Sequence, residues 1–180
     1  MGKKLGAIGA AWGLLGLFVL LGGATYRLSL MMFQAFEFDL SWHHWLIFVV
    51  NVGFMAYAEG YKGFQVKFAP RFAARVRHLR DNPTVLNVLL APLFCMGYYH
   101  TTRRRLISVY VLTLTIIAFI LGFQMLSQPI RGLLDAGVVI GLTWGTTSVF
   151  IFCTKALRND VYEHSPELPE PAAIAIREPG

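Results

Sequence analysis

Charge is scarce in this 180-residue chain: 14% of its residues are Asp, Glu, Lys or Arg, where a soluble domain carries about 25%. Much of the chain must therefore avoid water. Acidic residues are scarcer than basic ones, 10 against 16, for a formal net charge of +6. Cysteine is rare as well. Cys95 and Cys153 give neither metal-ligand spacing nor a disulfide framework, and packing is the role expected of both. HExxH, a serine nucleophile elbow, a Walker loop and paired aspartates are all missing, which disfavours an intramembrane hydrolase or an energised pump. His43 and His44 are adjacent, so on a helix they point about 100° apart and do not chelate one ion together. No metal or other cofactor is expected. The cations lack the aromatic partners of a base-binding platform, so nucleic acid is not an expected partner.

What the chain does have is apolar length. Four runs almost free of charge, 5–26, 42–61, 106–126 and 133–156, are each near or above the roughly 20 residues that cross a bilayer as an α-helix. The expected fold class is all-α: a polytopic membrane helical bundle of four transmembrane helices plus one short re-entrant or interfacial segment, 83–99. Five transmembrane helices are the alternative. The first run exceeds the 7–15 residues or so of a signal-peptide core, so an uncleaved anchor is expected. Trp42, Trp45, Tyr61, Tyr98 and Tyr99 fall at span ends, where amphipathic rings suit the headgroup level.

The basic residues orient these spans. Lys3 and Lys4 put the N-terminus in the cytoplasm. The outer segment 28–41 follows, with Leu28, Leu30, Met31, Met32 and Phe33 expected in the interface. After the second span come Lys62, Lys67, Arg71, Arg75, Arg77 and Arg80, opposed only by Asp81. Phe64, Phe68, Phe72, Val76 and Leu79 recur there at helical spacing, and Pro70 suits a first turn. The prediction is an amphipathic helix over 70–80. It either lies flat with phenylalanines in the acyl boundary and arginines at phosphates, or packs under the bundle with a solvated basic face. Asp81-Asn82-Pro83 reads as a cap before a first-position proline. If the short run 83–99 crossed, Arg103, Arg104 and Arg105, and later Lys155 and Arg158, would lie outside, against the usual bias. It is therefore expected to turn back, leaving both termini cytoplasmic. Short loops and compactness point to a bacterial inner membrane. The segment 158–180, broken by Pro166, Pro169, Pro171 and Pro179 and rich in glutamate, is expected to be a disordered, solvated tail, with weak electrostatic contact to the basic helix as the alternative.

Certain residues stand out as candidates. Gly137, Gly141 and Gly145 share one face of the last span, where missing side chains let another backbone approach. Gly9 and Gly13, flanked by Gly6 and Gly16, offer a partner face on the first, and Gly53, Ala56, Gly60 and Gly63 offer another on the second. These faces serve packing within the chain or against a second copy or another membrane protein. The run 106–126 has only Ala118 and Gly122 as small residues and is expected to face lipid. Polar side chains inside spans are costly and so mark sites. Asn51 is expected to bond Thr143, Thr146 or Thr147. Glu59 needs a cation, Lys62 or one of Arg103, Arg104 and Arg105, unless it is a protonatable gate. Asp135 favours the helix N-terminus and has Arg131 or Arg27 as partner. Arg27, Glu37, Asp39, His43, His44, Arg131 and Asp135 gather at one face, the makings of a small outer site. The cytoplasmic cations Lys62, Lys67, Arg71, Arg75, Arg77, Arg80, Arg103, Arg104 and Arg105 are expected at anionic lipid headgroups. The expected function is a non-enzymatic accessory, assembly or helix-interaction subunit. A small channel or proton-coupled transporter using Asn51 and Glu59 comes second. A lipid-modifying enzyme that holds a phosphate headgroup comes third.

Overall fold

The computed structural model describes residues 2–159 and 161–169, and among these it is all-helical with no strand. The elements are α1 (Gly2–Ala35), α2 (Trp42–Met55), a π-helical segment (Ala56–Phe68), α3 (Ala69–Asp81), α4 (Val85–Leu89), α5 (Ala91–Met96), α6 (Arg103–Gln124) and α7 (Ile130–Arg158). Three of them, α1, α6 and α7, are long and apolar enough to cross a membrane. As a separate helix α2 has 14 residues, short of the roughly 20 required. Its backbone stays right-handed helical through Ala56 and Ala69, so the apolar run 42–61 passes without a turn into the π-helical segment and then α3.

At the centre is α7, packed against α1, α2, the π-helical segment and α3. The glycine rows of the first and last spans do not face each other. A methyl group at Gly137 would collide with Asn51, at Gly141 it would sit 3.2 Å from Cβ of Glu59, and at Gly145 it would strike the Phe64 ring. On α1, Gly6 abuts the backbone of Arg80, Gly9 abuts Leu79 and Val88, Gly13 abuts Cys95, and Gly16 abuts Pro92. Each row thus receives larger side chains from another element. The first and last helices share a core built around Leu17, Leu21 and Val149.

The first helix runs well past residue 26. Leu28, Leu30, Met31, Met32 and Phe33, expected in an outer interfacial segment, form its last turns. Gln128 fastens this end. Its Nε2 donates to the Met31 carbonyl at 3.3 Å, and its Oε1 accepts from the Gly132 N–H at 3.1 Å. One amide therefore ties the end of α1 to an otherwise unbonded N–H at the start of α7.

The run 83–99 is two short helices. Thr84, beyond Pro83, supplies the cap expected at Asp81, accepting from the Asn87 N–H at 3.3 Å. Pro92 has no N–H, and its ring excludes the carbonyl four residues back. The chain accordingly breaks at Leu90, with φ −99° and ψ 27°. Helix α5 stops at Gly97, whose φ of +88° costs an achiral residue nothing. There Tyr98 N–H reaches the Leu93 carbonyl at 3.0 Å and Gly97 N–H reaches that of Phe94 at 3.1 Å, the paired bonds of a Schellman stop. The two helices lie along the glycine row of α1, where Trp12 Nε1 donates to the Leu89 carbonyl at 3.3 Å.

Of the two readings of the basic helix, α3 adopts the packed one. Phe72, Val76 and Leu79 are buried in the protein core, so the Phe72 ring is not free to enter an acyl layer. In α6 only Val109 is buried, and the helix is held near its middle by a 2.8 Å bond between the Tyr98 and Thr113 hydroxyls. Residues 161–169 of the expected tail carry no helix and lie on α3. Tyr162 donates its hydroxyl to the Pro70 carbonyl at 3.1 Å, and burial pushes that phenol up to about 12, keeping it a donor. Residues 170–180 of the expected tail lie outside the described residues.

Candidate functional site

Two places gather the polar side chains. The first is the crossing of α7 with α2 and the π-helical segment. Asn51 Nδ2 donates to the carbonyls of Leu133 at 3.1 Å and Leu134 at 3.0 Å, an approach that Gly137 permits. Thr143, Thr146 and Thr147, expected as its partners, bond back to carbonyls of their own helix at 2.7–2.9 Å, as hydroxyls on helices commonly do. Glu59 lies against Gly141, half-buried. Among the described residues it has no ion pair. Lys62 sits over the Tyr57 ring at 4.9 Å, and Arg105 pairs with Glu167. None of the four expected cations, Lys62, Arg103, Arg104 and Arg105, pairs with it. The surrounding backbone is π-helical, a rare form most often found at functional sites. One turn on, Trp144 packs over Gly60 and donates to Gln65 Oε1 at 2.7 Å. Beside this bond an open groove of about 510 Å³ runs past Thr143, Thr147 and Phe152 to Lys155.

The second place is the basic end of the bundle. Arg77 donates to the carbonyls of Ala156 at 3.2 Å and Asn159 at 2.7 Å, and Arg80 to that of Leu157 at 2.9 Å. These arginines of α3 satisfy the last carbonyls of α7 and oppose the negative end of its dipole. Arg80 also sits against Gly6 near the start of α1, which brings Lys3 and Lys4 to the same end. Arg71 and Arg105 meet at Glu167, bringing Arg103 and Arg104 there too. Lys62, Lys67, Arg103 and Arg104 are exposed.

Arg75 does not belong to a headgroup surface. It is 3% exposed, and its guanidinium donates to the carbonyls of Phe94 at 2.7 Å, Tyr99 at 3.4 Å and His100 at 3.2 Å, stacking 5.1 Å from the Phe94 ring centre. Burial lowers its pKa from the ordinary value. The signal was in the spacing: residues 72, 75, 76 and 79 fall on one helix face, and three of them are apolar. Arg75 binds the end of α5 and its exit loop to α3, so the run 83–99 begins and ends at the same helix.

At the opposite end the expected outer site is not assembled. Of its seven residues only Arg131 and Asp135 are paired, 4.0 Å apart. His44 Nδ1 accepts the Ser41 N–H at 3.1 Å as a cap for α2. Arg27, Glu37, Asp39 and His43 are exposed.

Fold and site together define a protein that is all-helical among the described residues, with helices suited to a membrane, packed through glycines, and most of its cations at one end. No family model, curated protein or solved structure matches the chain.

Proposed function

We propose that this protein is a non-enzymatic accessory or assembly subunit of a bacterial inner membrane, with its basic end resting on anionic headgroups. The observation that carries this reading is the convergence of cations from α1, the π-helical segment, α3, α6 and α7 on one end of the bundle. Each Lys or Arg near an anionic surface contributes about 1 kcal/mol of attraction, so such a cluster selects its leaflet. On this reading α2 with the start of the π-helical segment is a fourth span. The pair α4–α5 dips in from the cytoplasmic side and returns to it, and both termini are cytoplasmic. The meeting of both ends of 83–99 with α3 supports that path. The exposed α6 then faces lipid or a partner's helices. The test is native mass spectrometry of the full chain released from mixed nanodiscs. Phosphatidylglycerol should be retained over phosphatidylcholine, and equal retention overturns the reading.

A second reading, a proton-coupled path, draws on Glu59 alone. A half-buried carboxylate without a counter-ion is the group such a path requires. Asn51, with both amide protons held by α7, adds nothing to it. Proton flux into proteoliposomes that disappears in Glu59→Gln would replace the first reading with this one.

A further inference from the structure

The carboxylate and carbonyl oxygens of Glu167 face nitrogen and hydroxyl donors, while its N–H donates to Ser165 Oγ at 3.2 Å. Its carboxylate lies 3.1 Å from Arg71 Nε and 3.8 Å from Arg105 Nε. Its carbonyl accepts from Arg75 Nη2 at 3.3 Å, Thr101 Oγ1 at 3.1 Å and Thr102 N at 3.3 Å. Two guanidinium groups, Arg71 of α3 and Arg105 of α6, thus converge on one negative charge, and a third, Arg75, holds the main-chain carbonyl of the same residue. The cradle is built by the protein core, since Arg75 is buried and held by the exit loop of α5. Its occupant comes from a segment without helix or strand. Glu167 also has φ +51°, a left-handed backbone that L-residues adopt only at a cost. Its two ion pairs are about one-third exposed on the glutamate side, and pairs of that kind hold by only about 0–1 kcal/mol.

A phosphate group fits these donors better than a carboxylate does. It presents three oxygens and a charge of about −1.5 to −2, and arginine forks match phosphate oxygens in pairs. We propose that Arg71, Arg105 and Thr101 form a binding site for a phosphate monoester, which Glu167 occupies from within the chain and yields to the ligand. The site deepens the headgroup reading above and rests on it. It also assigns the segment 161–169 a role: a plug that anionic ligand displaces.

The test uses the full chain with Cys95 and Cys153 replaced by alanine and a spin label at Ser165→Cys, in phosphatidylcholine nanodiscs. Adding phosphatidic acid to the discs, or inorganic phosphate to the solution, should convert an immobile label to a mobile one. Release by the lipid alone identifies a headgroup as ligand, and release by inorganic phosphate identifies a soluble phosphate. Glu167→Gln should be mobile from the start and bind phosphatidic acid roughly two- to five-fold more tightly, the ratio set by an exposed ion pair. Arg71→Gln with Arg105→Gln should be mobile yet indifferent to either addition. A label that stays immobile with both ligands overturns the proposal, as does unchanged affinity in Glu167→Gln. Should Arg103→Gln with Arg104→Gln weaken lipid retention while the Arg71 and Arg105 pair does not, this inference falls and the headgroup reading stands. If no basic substitution alters retention, the headgroup reading falls as well.

Discussion

The amide of Asn51 reaches the carbonyls of Leu133 and Leu134 because residue 137 has no side chain. Helix association in an apolar medium depends on such packing and on hydrogen bonds that average about 0.6 kcal/mol, with a maximum near 1.7. Asn51→Leu should therefore lower stability by no more than about 1.7 kcal/mol in detergent-titration unfolding. Gly137→Leu should cost more, since it removes both bonds and forces the helices apart. His78 shows a different balance at the same scale. Burial first, then the charges of Arg75 and His100, hold its pKa below 6.5, against a weaker pull from Asp81. The folded state resists the proton that the unfolded chain accepts, so stability rises with pH across this window. Loss should begin as pH falls through about 6.5 and level off below the depressed folded pKa. His78→Gln should flatten that part of the stability–pH curve, and an unchanged slope would count against the assignment.

Among the elements, the broken run 83–99 is the most sharply determined. Pro92 stops α4 and α5 from joining, and Gly97 ends α5 in a conformation that other residues adopt only at a cost. A methyl group at Gly97 meets nothing closer than 3.7 Å, so Gly97→Ala isolates the backbone effect. A loss of about 1–2 kcal/mol is expected, with Gly97→Asn recovering part of it, as asparagine tolerates the left-handed region better. Equal losses in both variants would place the cost in packing. The last span and the run 106–126 were legible in their composition: small residues every fourth position in one, large aliphatic ones all round in the other. Which element would fill the glycine face was not legible. A glycine row specifies close approach and says nothing of the partner, and of the two spans that offered small residues it was the second, continued as the π-helical segment, that filled this face.

The whole molecule sorts charge by end. With Cys95 and Cys153 removed, single cysteines at Arg104 and Arg158, both exposed, should react with a membrane-impermeant maleimide from the cytoplasmic side only. A cysteine at Glu37, also exposed, should react from the opposite side only. Labelling of Arg104 and Arg158 from outside would require 83–99 to cross and the count of spans to be five. The outer site drawn from seven polar residues illustrates the limit of arguing from a shared face. Residues at one membrane level need not touch, and beyond the adjacent rings of His43 and His44 only Arg131 and Asp135 do.

The sequence by itself determined that this chain is helical, apolar in long runs and basic in the long stretch 62–105 between the second and third of them. Those properties follow from local composition and from the energy of charge in hydrocarbon, neither of which needs a neighbour. Only the tertiary structure decided that Glu59 has no ion pair among the described residues, and that Glu167 sits among three arginines. Each of those depends on which segments pack together across long separations in the chain, and pairwise contact of that kind leaves no trace in spacing or hydropathy.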